Sequence, residues 1–204
     1  MVTLNGLEKK FGNQHILRNI THTFETGSKT VVLGSNGSGK STLIKIISGA
    51  IEASYNPPKY YFNKSFAAYE AGKYCSMAAP YMAFNPMFTL SETLSFHEKM
   101  CGFVKTALIS EWVEKAGLSK HQGKRIETFS SGMLQRVRLL IAIASNRSLL
   151  LLDEPTSNLD KEGIQFYQNL IDELASDKTV IVASNYIECE YAFCNNKLIL
   201  DKHY

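Results

Sequence analysis

The run Gly34-Ser35-Asn36-Gly37-Ser38-Gly39-Lys40-Ser41-Thr42 leaves this chain few folds to choose from. It follows the apolar residues Thr30-Val31-Val32-Leu33 and precedes Leu43-Ile44-Lys45-Ile46-Ile47. That order predicts a short strand, a tight glycine loop and a helix in immediate succession. The glycines let several backbone N–H groups turn inward, at a helix start whose dipole also favours negative charge. The pattern is that of a phosphate-binding loop in the strand–helix context such a loop requires. Lys40 is then placed to reach the β- and γ-phosphates of a nucleoside triphosphate, with the Ser41 hydroxyl as one ligand of Mg²⁺.

The chain has 204 residues, 45% of them apolar, enough for a real core in one or two domains. A net charge of +3 and the lack of a long basic run argue against a nucleic-acid partner. Cys75, Cys101, Cys189 and Cys194 form no C-x-x-C pair, which points to reduced thiols in a cytoplasmic protein. No stretch approaches the roughly 20 apolar residues that span a bilayer, and no signal-peptide pattern opens the chain. Work at a membrane would therefore require a membrane-spanning part on another chain.

Residues 2–33 alternate apolar and polar positions around Gly6, Gly12 and Gly27, predicting short strands joined by turns. Asn56-Pro57-Pro58 punctuates the chain before Tyr60-Tyr61-Phe62. From about Leu90 to Gly117 the pattern is helical, with Leu94, Val104, Leu108, Trp112 and Val113 as core positions. Leu149–Leu152 and Thr179–Ala183 are apolar on both faces and predict buried strands. Ile164, Tyr167, Leu170, Ile171 and Leu174 make one face of a helix between them. Strands alternating with helices imply a mainly parallel α/β sheet.

The strand Leu149–Leu152 runs into Asp153-Glu154-Pro155. Strand ends are often acidic simply because they meet solvent, so the pair alone is a weak signal. With the loop upstream it is a strong one. Asp153 suits the Mg²⁺ role opposite Ser41, and Glu154 suits the general base that takes a proton from attacking water. Ahead of that strand lies Phe129-Ser130-Ser131-Gly132-Met133-Leu134-Gln135-Arg136, with Leu134, Val137, Ile141 and Ala144 at helical spacing. Ser130 and Ser131 thus open a helix, as an ordinary cap or as a second phosphate site.

The chain resembles the ATP-binding-cassette (ABC) family over nearly its whole length. The motifs occur in that family's order: the phosphate loop, a signature similar to Leu-Ser-Gly-Gly-Gln at Phe129–Met133, the acidic strand, and Ser157-Asn158-Leu159-Asp160 as the D-loop. The signature keeps Ser130 and Gly132, whereas Ser131 replaces a glycine and Met133 the glutamine. The resemblance implies a head-to-tail dimer with a second ATP-binding cassette, identical or related, each ATP lying between one loop and the other subunit's signature. Ser130, Ser131 and Gly132 would meet the opposite γ-phosphate. Asp160 would organise the interface, cap the next helix, or both. Phe11, ahead of the loop at a family-like spacing, would stack on adenine, or else, as a lone aromatic, pack in the core.

Two departures from the family stand out. The glutamine it carries after the middle strand falls here at Ala79 or Pro80, and its histidine after the later strand is Asn185. Asparagine donates a hydrogen bond to phosphate but carries no charge and shuttles no proton. The fold expected is a single cassette over residues 1–204: a P-loop NTPase α/β core, an N-terminal antiparallel β region and a helical subdomain inserted at roughly 85–140. The function expected is slow Mg-ATP hydrolysis driving an ABC transporter, on the cytoplasmic face of the membrane, through separate transmembrane subunits. Tyr81, Met82, Phe84, Pro86, Met87 and Phe88 form an apolar and aromatic groove suited to such a partner, or else pack within the helical region. The chain's end soon after Leu198-Ile199-Leu200-Asp201 predicts no appended regulatory domain. The alternatives are a soluble cassette ATPase, for example in iron–sulfur assembly, and a non-hydrolysing ATP-gated binding module.

Overall fold

The computed structural model describes residues 1–62, 64–105 and 108–200; Asp201 lies outside them. The chain forms two compact units. The first takes in residues 1–77, 147–154 and 177 onward. Its elements are strands β1 (Val2–Phe11), β2 (Gln14–Phe24) and β3 (Lys29–Leu33), helix α1 (Lys40–Ile47), and strands β4 (Lys59–Phe62), β5 (Lys64–Phe66), β6 (Cys75–Ala78), β7 (Leu149–Asp153), β8 (Thr179–Ser184) and β9 (Asn196–Ile199).

An antiparallel sheet runs β2-β1-β4-β5, and a second sheet runs β6-β7-β8-β3-β9, with β3 parallel to both β8 and β9 and β7 parallel to β8. The α/β class and the antiparallel N-terminal region are as the sequence predicts. The opening strands are longer than predicted, at 10 and 11 residues. Gly6 does not end a strand. At φ 68° it lies in a register shift, where Leu4 faces His22 but Leu7 faces Ile20. The glycine marks a bulge inside one long hairpin.

Every residue of β7 and β8 is buried, as their apolar composition requires. Leu43, Ile44 and Ile47 of α1 join Val32, Leu149, Leu151 and Ile181 in one core. Burying each such side chain contributes about 1.5–3 kcal/mol. The sheet therefore fixes both ends of the phosphate loop and the end of β7.

The second unit comprises residues 78–146 and 155–176. It holds helices α2 (Leu90–Cys101), α3 (Ile109–Lys115), α4 (Ser131–Ala144) and α5 (Lys161–Leu174). A capping box of Thr89 and Glu92 starts α2. Trp112 and Val113 are core residues as predicted, but Val104 is 40% exposed and Leu94 and Leu108 are only half-buried. The helical period does not run unbroken from 90 to 117. Helix α2 stops at Gly102, φ 66°, and α3 begins at Ile109, so Val104 sits on the connection. In α5 the predicted stripe is buried except for half-buried Ile164, and Phe166 joins it, edge-on to Trp112 at 5.9 Å.

Candidate functional site

In the first unit, β3 ends at Leu33 and the chain curls through Gly34–Gly39 into α1. Gly39 precedes the helix at φ 98°. A Cβ there would come within 2.7 Å of Leu17 Cδ2 and 3.1 Å of the Ile16 carbonyl, so the position requires glycine. Lys40 is buried, and its Nζ donates to the carbonyls of Gly34 at 2.7 Å and Ser35 at 3.0 Å. Burial pulls its ammonium below the usual lysine range, while the charges of Glu154, Asp153 and Glu190 pull it back up. The buried Ser38 hydroxyl has no hydrogen-bond partner, a donor that a phosphate oxygen would satisfy.

Asn36, Gly37, Gly39, Lys40, Ser41 and Thr42 line one cavity of about 240 Å³ together with Glu154 and Ile16. The structure thus brings most of the predicted loop residues to one space with the predicted base. Glu154 holds φ 46° and donates its N–H to the Ala183 carbonyl at 2.9 Å. A left-handed turn at a non-glycine costs roughly 1 kcal/mol and re-aims the side chain as it leaves the strand. Asp153 is 1% exposed at the end of β7. Among the described residues no group of three or more His, Cys, Asp or Glu is placed to hold a metal alone. One carboxylate and one hydroxyl, Asp153 and Ser41, are the hard oxygen donors Mg²⁺ accepts when phosphate oxygens complete its shell.

Phe11 and Asn185 are not among the residues lining this cavity. Phe11 is 52% exposed at the end of β1, with Lys9 Nζ 4.8 Å from its ring centroid. Asn185 is half-buried on the turn after β8, ahead of Tyr186 at φ 60°. The Ser184 hydroxyl donates to the buried Glu190 carboxylate and accepts from the Ile187 N–H at 3.2 Å, which fixes that turn.

In the second unit, Ser130 caps α4, its hydroxyl accepting from the Met133 N–H at 3.2 Å. Ser131 and Gly132 form the first turn, and a Cβ on Gly132 would sit 3.0 Å from the Asn158 carbonyl. Asp160 caps α5 by accepting from the Gly163 N–H at 2.8 Å and also pairs with Arg136 at 2.7 Å. The backbone N–H first, then Arg136, holds its carboxyl below the usual range. Ser130, Gly132, Met133, Arg136, Asn158, Leu159 and Asp160 share a cavity of about 380 Å³ with Ala116, Gly117 and Leu118. The signature and the D-loop therefore meet, and one arginine ties them.

The sequence reading did not single out Ile16, Glu190, Arg136 or Gln135. Ile16 lies on β2, distant in sequence from the loop, and nothing local marks it. Gln135 carried a signal, because a polar residue on the apolar side of a helix needs partners. It is fully buried and donates to the Pro155 carbonyl at 2.9 Å.

A family model described as ABC transporter matches residues 17–157. The chain belongs to the ABC transporter family. It is 32% identical over 208 residues to an uncharacterized ABC transporter ATP-binding protein, YdbJ, of Bacillus subtilis (strain 168), covering 98% of this chain and 66% of that protein. It is 30% identical over 213 residues to the linearmycin resistance ATP-binding protein LnrL of the same organism, covering 99% of this chain and 67% of that one. The chain thus spans about two thirds of the length of these relatives. A dimeric bacterial ABC transporter cassette matches in structure with a TM-score of 0.82 over 98% of this chain and 94% of its own, at 22% identity. That likeness establishes the fold. As a member of this family the cassette binds ATP.

Proposed function

We propose that this cassette hydrolyses Mg-ATP as the motor of an ABC transporter, working at the cytoplasmic face of the membrane through membrane-spanning subunits on separate chains. The observation that carries the reading is the cavity that unites Lys40, Ser41 and Thr42 with Glu154. The loop N–H groups and the α1 dipole bind the phosphates. Lys40 exchanges its bonds to the Gly34 and Ser35 carbonyls for bonds to phosphate oxygens. Ser41 and Asp153 hold Mg²⁺, whose charge, when bound, would offset that of the phosphates. Glu154 accepts a proton from water as it attacks the γ-phosphorus. Phe11 stacks on adenine, its exposed ring being available for it.

A second cassette, the same chain or a related one, presents its signature to this ATP. Ser130, Ser131 and Gly132 then meet the opposite γ-phosphate, held in place by Arg136 and Asp160. Binding of ATP favours the closed dimer and hydrolysis releases it. Hydrolysis is slow. Ala79 and Pro80 bring no polar side chain to the loop after β6, and Asn185 stands where the family has histidine.

Replacing Glu154 by Gln tests the base. Turnover should fall to near zero while ATP binding persists, read as phosphate release beside nucleotide titration. Equal turnover in variant and parent overturns the assignment. A non-hydrolysing ATP-gated module is the second reading, favoured by Ala79, Pro80 and Asn185. It predicts stable ATP-bound dimers of the unaltered chain with no phosphate release.

A further inference from the structure

Within the second unit a chain of side chains joins two segments that are far apart in sequence. Arg138 donates from Nε to the Met82 carbonyl at 2.7 Å, and from Nη1 to Gln135 Oε1 at 3.3 Å. Gln135 in turn donates from Nε2 to the Pro155 carbonyl at 2.9 Å. Both ends of a fully buried amide are used once each, with matching donor and acceptor. Arg138 is half-buried, and burial lowers its guanidinium from the usual arginine range.

The two ends of this path are informative. Met82 lies in the turn closed by its N–H on the Ala79 carbonyl at 3.0 Å, beside Tyr81, which is 46% exposed. Pro155 directly follows Glu154 and opens the segment to Asp160 that lines the cavity at the signature. At each end the bond is made to a backbone carbonyl, of Met82 and of Pro155. Each link is a directional hydrogen bond within one unit, and chains of such bonds can carry a displacement from one segment to another.

We propose that Arg138 and Gln135 form a relay that couples the loop at Met82 to the Pro155–Asp160 segment, acting as positioning residues for that segment and, through the next peptide, for Glu154. Movement imposed at the Tyr81–Met82 surface shifts Arg138, reorients the Gln135 amide and alters the hold on Pro155. This proposal rests on the reading of the chain as an ATPase with Glu154 as base.

The test uses the full chain as Arg138→Ala, Arg138→Lys and Gln135→Met. Amide hydrogen exchange is followed by mass spectrometry, and ATP turnover is measured beside Glu154→Gln. Arg138 makes no bond to residues 156–160, yet Arg138→Ala should speed exchange there by about tenfold, as should Gln135→Met. Arg138→Lys retains one bond to Met82 and should restore part of the protection. Both relay-breaking variants should lower kcat by roughly tenfold or more with KM for ATP unchanged, as misplacement of a catalytic group does. Faster exchange confined to residues 79–84 in Arg138→Ala overturns the relay. Unchanged kcat in both variants, with Glu154→Gln inactive, overturns its catalytic role. Full turnover in Glu154→Gln instead sinks the base assignment, and the exchange data still decide whether the two segments are coupled.

Discussion

Asn185 occupies a turn built with some care: Ser184 is bonded to a buried Glu190, and Tyr186 holds φ 60°. The turn is thus fixed by its own hydrogen bonds, and under the proposed function the residue it presents to the γ-phosphate is an amide. A positioned donor to developing phosphate charge is worth on the order of a hundredfold in rate. Asparagine supplies the hydrogen bond without the charge. Asn185→His should therefore raise kcat at pH 7 by about tenfold. It should also add a pH limb near 6.5, the ordinary histidine value, with the gain larger on the acid side where imidazolium is present. A pH–rate profile of variant and parent checks this. An equal or lower rate at every pH would mean that the surrounding turn has adapted to the amide. The positions of Lys40, Asp153 and Glu154, at a helix start and a strand end, were legible at this scale because each is placed by its own neighbours along the chain. The environment of Asn185 was not, since Glu190 reaches Ser184 only through the fold of the turn.

The elements divide along the same line. Strands β7 and β8 and the α5 stripe were readable because each meets one environment along its whole length. The β1–β2 hairpin was misread as short strands because a glycine at a bulge and a glycine at a turn look alike in sequence. Val104 was misplaced because the helical period was carried across Gly102. On helix α4 one residue combines an observed role with a proposed one, and the two can be separated. Ser130 caps the helix by accepting from the Met133 N–H and also fronts the signature cavity. Ser130→Ala should cost about 1 kcal/mol of stability through the lost cap. Ser130→Asp keeps a capping oxygen and should retain the parental Tm. It also puts a carboxylate where the reading places a partner's γ-phosphate. ATP-dependent dimerisation, measured by size exclusion in a Glu154→Gln background, should then be lost in the aspartate variant although its fold is intact. Dimers of parental strength in Ser130→Asp would confine Ser130 to its cap.

For the molecule as a whole, no helix among the described residues is long and apolar enough to cross a membrane. The transport reading thus needs a surface on which a membrane-spanning chain can pull. Helix α2 offers one. It buries only Leu90 and Thr93, and leaves Phe96 48% and Met100 62% exposed one turn apart. Around Phe96 lie the rings of Phe88 at 6.2 Å and His97 at 5.4 Å, and Phe84 meets His97 at 5.8 Å. Met87 and Tyr81, from the preceding loop, are also exposed. A run of apolar and aromatic side chains of this kind suits an amphipathic helix laid across it. Because Phe96 and Met100 already face solvent, changing both to Glu should alter stability by less than about 1 kcal/mol. ATP binding and the turnover of the isolated chain should stay as they are. What should change is the distribution in cells: the parent sediments with membranes and is released by detergent, whereas Phe96→Glu with Met100→Glu remains in the supernatant. If the double variant sediments as the parent does, the docking surface lies elsewhere on the cassette. If the parent itself never sediments with membranes, the transport reading gives way to a cassette that works in solution.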